Sequence, residues 1–306
     1  MRTISLHITP EWDGRSVKSL LKFELQLSTH LISRLKREES GICLNGERVF
    51  VTALVHTGDV LTAEVGDHER GSRAVLPIDF PLELVWEDED LLALNKPAGL
   101  LLHPSTLTPD APTVAGALAY YLGEGSVFHA VNRLDKDTSG LMLVAKSGFL
   151  HDRMRLAQAA GTLHRSYLAL AVGTVFPPSG RIDAPIGRDP SSILRRRIDE
   201  NGASAITDYE TLCHANNLTL LRLLPQTGRT HQLRVHLASR GYPLAGDWLY
   251  GAQTRIGRTA LHSAELWFVH PLSGKDLHFT VPIPQDMQSL LEDAPPSPDS
   301  PVSPLL

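Results

Sequence analysis

The segment VNRLDKDTSGLMLVAK (residues 131–146) limits the fold more than any other, because a polar loop runs straight into the apolar stretch GLMLVA. An apolar run that short reads as a buried strand, and a buried strand must be covered by other elements. Its neighbours supply them. DLLALNKPAG reads as a strand entering a turn at Pro97 and Gly99. TVAGALAYYLG puts Val114, Ala117, Leu118, Tyr121 and Leu122 on one helical face and ends at Gly123. SGFLHDRMRLAQAAG reads as a helix with Gly161 past its end, and SYLALAVG as a strand. TGRTHQLRVHLASRG reads as a turn, then a helix from near Thr230 to Gly241. Strands and helices interleave irregularly without an internal repeat, which predicts a mixed α/β or α+β class.

Four regions separate by composition. Residues 12–65 form a compact unit with two helical stretches, VKSLLKFEL and STHLISRLKRE, followed by GICLNGERV, where Asn45-Gly46 between apolar runs signals a two-residue hairpin. Residues 66–78 read as a polar linker with two glycines, and 79–290 as the main domain. Residues 291–306, Pro/Ser-rich, read as a disordered tail.

The two cysteines, Cys43 and Cys213, lack CxxC spacing and build no disulfide framework. No leader-like apolar core opens the sequence, and no apolar run reaches the roughly 18 residues of a membrane span. A reducing, cytoplasmic setting without membrane or zinc is the expectation. The net charge of −5 argues against a nucleic-acid partner, but its distribution does not. Residues 222–240 hold four arginines and no acid, and residues 181–197 hold five arginines against two aspartates. A polyanion responds to such local potential rather than to the total.

Asp135 and Asp137 are the first candidates for chemistry. DTSG invites comparison with an aspartic protease, but the chain holds no second such motif to form the shared-proton dyad. A single carboxylate beside Arg133 and Lys136, carried by a loop at a strand end, suits a nucleophile or the stabiliser of a sugar cation in cleaving a glycosidic bond. On local sequence alone, a loop-capping role for Asp135 is slightly favoured over the chemical one. QTGRTHQLRVH adds Arg229, Arg234, His231 and His236; the five-residue histidine spacing separates them on a helix and opposes a metal site.

Taken together, NKPAGLLLHP, NRLDKDTSGLMLVAK, HRSYLALAVG, TGRTHQLRVHLASRGYPLAGDWLYG and ALHSAELWFVHP resemble the RluA-type pseudouridine synthases, in that family's order across most of residues 91–284. Residues 12–65 resemble, more loosely, the S-four-type RNA-binding domain that precedes many of these enzymes. The resemblance implies an α+β fold: a mainly antiparallel mixed-sheet catalytic domain with a central cleft, behind a small N-terminal α/β RNA-binding domain. It implies Asp135, not Asp137, as the catalytic aspartate, with Tyr167 against the uracil ring and Arg229 paired to Asp135, orienting it and keeping it ionised. Arg133, Leu233, Lys96 and Asn132 would line the substrate site, Asn132 standing where the family usually has His. Arg34, Lys36 and Arg37, with Arg195, Arg196 and Arg197, would contact RNA. The expected protein is a monomer that needs no cofactor or metal and acts on ribosomal or transfer RNA. An inactive RNA-binding or assembly factor and a nucleoside glycosidase are the rival expectations.

Overall fold

The computed structural model describes residues 2–66, 75–105, 108–123, 127–251 and 256–292. The N-terminal unit comprises β1 (Thr3–His7), α1 (Val17–Phe23), α2 (Thr29–Leu35), β2 (Ile42–Leu44), β3 (Glu47–Arg48) and β4 (Val60–Glu64). Then follow β5 (Glu83–Glu87), β6 (Leu91–Lys96), α3 (Val114–Leu122), β7 (His129–Ala130), β8 (Ser139–Ala145), α4 (Gly148–Ala159), β9 (Leu163–Val172) and β10 (Ser179–Asp183). The chain continues with β11 (Ile186–Arg188), β12 (Arg196–Ile198), β13 (Ile206–Ala215), β14 (Leu218–Pro225), α5 (Gln232–Ser239), β15 (Leu261–Val269), β16 (Asp276–Thr280) and α6 (Gln285–Glu292).

Local chemistry sets the element ends. Helices α1, α2, α3 and α4 each start after a Ser or Thr whose hydroxyl accepts a first-turn N–H, at Ser16, Ser28, Thr113 and Ser147. Asn45 and Gly46, both at positive φ, turn β2 into β3 as a primed hairpin requires. Helix α5 starts two residues later than the sequence suggests, because His231 adopts the left-handed conformation (φ 57°) at its N-cap.

The large sheet has ten strands in the order β10-β13-β14-β9-β15-β8-β6-β5, with β16 also on β15 and β7 on β8. Every pairing in it is antiparallel except β8 with β15. Side chains alternate between its faces. Leu91, Ala93, Leu141 and Leu143 join a core covered by α4 and the N-terminal unit. Leu92, Leu94, Met142 and Val144 join the opposite core, under α3 and α5. The predicted α+β class with a mainly antiparallel sheet is therefore observed, and β8 is buried at all seven positions.

The N-terminal unit differs from the expectation in two ways. It begins at Thr3, where β1 pairs with β4, rather than at residue 12. It also shares one continuous core with the large sheet, and Arg153 of α4 donates to the Leu25 carbonyl and to Gln26. The expected linker falls largely on residues 67–74 and the expected tail on 293–306, both outside the described residues; α6 takes in 291 and 292.

Strand β8 is the hub. Its far edge meets β15 only at Ser139 and Gly140, and β7 only at Val144 and Ala145. Between them the sheet is bridged by Asn132, whose amide donates to the Leu141 carbonyl (3.2 Å) and accepts from the Leu143 N–H (2.7 Å). Gly140 sits at φ +107°, and a Cβ there would lie 2.2 Å from the Ser263 carbonyl oxygen. Gly140→Ala should therefore lower unfolding stability by at least about 3 kcal/mol in urea titrations. A loss below about 1 kcal/mol would show that β15 gives way easily at this point.

Candidate active site

A cleft of about 600 Å³ opens on the α5 side of β8 and β9, a volume suited to a small-molecule or nucleotide ligand. Its walls come from the loop before β8, the 101–103 segment, α4, β9 and the turn leading into α5. Asp135, Tyr167, Arg229, Arg133, Leu233 and Asn132 all line it, so the structure brings six candidates into one cavity.

The loop carrying Asp135 is held from below. The Thr138 N–H donates to the Asp135 carbonyl, closing a tight turn. The Lys136 carbonyl accepts both from the Gly99 N–H (2.9 Å) and from the Lys96 ammonium (3.0 Å). Lys96 also donates to the Pro97 and Leu100 carbonyls and is fully buried. This corrects the expectation that Lys96 meets substrate: its charge is enclosed beneath the loop, where it ties the NKPAG turn to the aspartate segment. Burial drives its pKa down to about 8, against the pull of Asp137 and Asp135.

The cation paired to Asp135 is likewise not the expected one. Arg234, in the first turn of α5, reaches Asp135 Oδ2 at 3.1 Å. Arg229 points its Nε at the Ser204 carbonyl (2.9 Å) and stays exposed at the rim. The distinction follows from burial. Arg234 is gripped by both oxygens of the fully buried Asp247, at 2.7 and 2.8 Å, and lies over the Tyr250 ring. Burial alone would make this guanidinium easier to deprotonate, but Asp247 and then Asp135 outweigh it and raise its pKa. A bidentate pair of this kind fixes direction as well as charge. His231 adds an imidazole 3.8 Å from the same Asp135 oxygen and shares a hydrogen bond with the Tyr250 hydroxyl (3.0 Å). Burial lowers its pKa, so neutral imidazole faces the aspartate at neutral pH.

Tyr167 is 6% exposed, with its hydroxyl beside Asn132. Burial pushes the phenol up, partly offset by the neighbouring Arg165 cation, so in the resting cleft it carries its proton. Asn132 lines the cavity, with its amide also engaged by β8. Among the RNA candidates, Arg34 is turned inward to the Gly66 carbonyl and Glu38, while Lys36 and Arg37 are exposed. Arg195, Arg196 and Arg197 sit on the β11–β12 hairpin, whose Arg196 N–H donates to the Tyr250 hydroxyl beside the cleft.

The metal question centres on one group among the described residues, Asp88, Asp90 and His270, outside the cleft. His270 Nδ1 accepts the Leu272 and Ser273 N–H groups, which puts its proton on Nε2, 3.3 Å from Asp88, and Arg2 holds Asp90. Arg2 thus already engages one of the two carboxylates, while His270 Nε2 stays buried without a hydrogen-bond partner, so the group is only partly committed within the protein. His236, the other histidine near the cleft, has both nitrogens bonded, to Thr207 and to the Ala184 carbonyl.

Asp247 and Tyr250 were not singled out from sequence, and His231 was weighed only as a metal ligand. Asp247 lies in the quoted GDWLYG stretch, but only the fold puts it behind Arg234. The Lys96 arrangement makes a measurable prediction. Between pH about 8 and 10.5 the unfolded chain holds a proton that folded Lys96 has released, so this residue's contribution to stability rises with pH through that window. Relative to Lys96→Met, the wild type should gain up to about 3 kcal/mol in urea unfolding over that range. A difference that stays flat would contradict an enclosed ammonium.

The sequence profile described as RNA pseudouridylate synthase matches residues 90–239. The uncharacterized RNA pseudouridine synthase YjbO of Bacillus subtilis (strain 168) is 39% identical over 272 residues, covering 88% of this chain and 96% of the relative. The ribosomal large subunit pseudouridine synthase D of Escherichia coli (strain K12) is 39% identical over 233 residues, 71% of each chain. Among solved structures, human RNA pseudouridylate synthase domain containing 1 superposes with a TM-score of 0.56 at 27% identity, over 70% of this chain and 86% of its own. A carboxylate held by a buried arginine in a cleft, the ordered motifs and near-full-length relatives agree: the chain belongs to the RNA pseudouridylate synthase family, and within it to the RluA type.

Proposed function

We propose that this enzyme isomerises uridine in structured RNA, with large-subunit ribosomal RNA as the first candidate substrate and transfer RNA as the second. One observation carries the reading: Asp135, with its side chain 31% exposed to the cleft, is aimed by Arg234 in the cavity that Tyr167 lines. In the reaction the bond between uracil N1 and ribose C1′ breaks, the ring turns, and C5 bonds to C1′. The C5 proton leaves and N1 acquires one, so no redox partner is needed. Asp135 serves the sugar side, Tyr167 packs against the uracil ring, and Leu233 forms the wall beside it. Exposed Arg133 stands where it can hold the extruded nucleotide out of its helix, a displacement that costs roughly a few kcal/mol.

The substrate class rests on relatives named as ribosomal large subunit enzymes. Lys36, Arg37 and the hairpin arginines 195–197 are the proposed RNA contacts, with phosphates as their targets. The N-terminal unit, starting at Thr3, is the proposed S-four-type RNA-binding domain, and a cytoplasmic monomer needing no metal is the proposed working form. No helix among the described residues is long and apolar enough to cross a membrane.

Transcripts of large-subunit ribosomal RNA and of transfer RNA carrying tritium at uridine C5 test the reading. Wild type should release tritium to water with the base still attached, and Asp135→Ala should release none above background. Tyr167→Phe should keep RNA affinity within about twofold while the rate falls about a hundredfold. Absence of release from both RNAs would favour a binding factor. Free uracil would make the protein a glycosidase.

A further inference from the structure

Arg165 is the buried charge in the cleft that nothing above uses. It lies on β9 two residues before Tyr167, on the same face of the strand, and lines the cavity. The residue is 8% exposed, and its Nε is buried without a hydrogen-bond partner. Among the described residues no carboxylate pairs with it, and its Nε meets no acceptor. Arg234, a few residues of cleft wall away, shows the contrast, since it has two carboxylates. A guanidinium removed from water without a counter-ion is costly, and such a group persists where a ligand supplies the missing charge.

The surroundings define the ligand. A point just off the Gly228 backbone lies 3.4 Å from both Arg165 Nη1 and the Gln158 amide nitrogen. Two donor groups thus converge beside the TGRT turn, and the missing side chain of Gly228 leaves that approach open. Arg229, next in the turn, uses Nε on Ser204 and keeps the rest of its fork at the rim. Donors that converge without a protein acceptor call for an anionic oxygen, and the anions of an RNA are its phosphodiesters.

We propose that Arg165, with Gln158 and the Gly228 turn, forms a subsite for the backbone phosphate adjoining the target uridine. This deepens the function proposed above and rests on it for the identity of the substrate. The subsite would anchor the extruded nucleotide by its phosphate while Tyr167, two residues along the strand, meets its base.

Three readouts on the full-length protein test the subsite. With the tritiated ribosomal transcript, Arg165→Met should raise KM about tenfold or more, lower kcat less than threefold, and reduce the slope of log KM against log salt by about one. Arg165→Lys should restore the slope, since it returns the charge, and only part of the affinity. Thermal melting without RNA should show Arg165→Met more stable than wild type, by about 2 °C or more, because an unpaired buried cation has been removed. Independently of any RNA target, wild type should bind uridine 3′- or 5′-monophosphate more tightly than uridine by NMR titration, and Arg165→Met should lose that preference. An equal fall in kcat at unchanged KM and salt slope would overturn the proposal, assigning Arg165 to the reacting base. A lowered melting temperature with no loss of phosphate preference would overturn it in favour of a packing role. If wild type releases no tritium but shows an Arg165-dependent phosphate preference, the subsite stands and the assigned reaction falls.

Discussion

The site depends on the pair between Arg234 and Asp247. Asp247 is fully buried and accepts from Arg234 through both oxygens, and it also accepts the Leu249 and Tyr250 N–H groups. Its negative charge is therefore hydrogen-bonded on every side that the protein offers, as a buried carboxylate must be. What remains of the Arg234 fork has one direction left, toward Asp135. A carboxylate on a loop would otherwise sample many orientations, and this arrangement converts it into a group with a defined aim. Tyr250 beneath the guanidinium and His231 beside the carboxylate complete the wall, and the left-handed turn at His231 marks the start of the helix that carries Arg234.

The same loop is restrained from the sheet side by an unrelated device. The Lys96 ammonium and the Gly99 N–H hold the Lys136 carbonyl, while Asn132 substitutes for a neighbouring strand along the open edge of β8. Asn supplies one donor and one acceptor at the spacing of a peptide group, so it can satisfy a carbonyl and an N–H of the same strand together. This gives a physical reason for an asparagine at position 132. Rigid support on both sides also explains why the Asp135 segment tolerates so polar a sequence in front of a wholly buried strand.

Much of the architecture was legible from residues alone because it rests on local rules. The Asn45-Gly46 hairpin, the β8 run and the glycine helix stops each encode their structure within a few positions. Strand β1 was missed because TISLH alternates between half-buried and exposed positions and pairs only with the distant β4. In the site, Asp135, Tyr167 and Leu233 were located through the motifs. The choice between Arg229 and Arg234 was not, since both lie in one short segment and only burial against Asp247 separates them. Lys96 illustrates the same limit: a lysine beside a turn normally reads as a solvent-facing contact, and its three carbonyl partners come from two segments 40 residues apart.

The account stands on which arginine aims the Asp135 carboxylate, and single-turnover rates of Arg234→Lys and Arg229→Lys on the same uridine transcript test it most directly. Arg234→Lys should slow the chemical step by about a hundredfold or more with RNA affinity within about twofold, because lysine loses the fork that joins Asp247 to Asp135. Arg229→Lys should retain most of the rate. Full activity in Arg234→Lys, with the rate lost in Arg229→Lys, would contradict the arrangement described here.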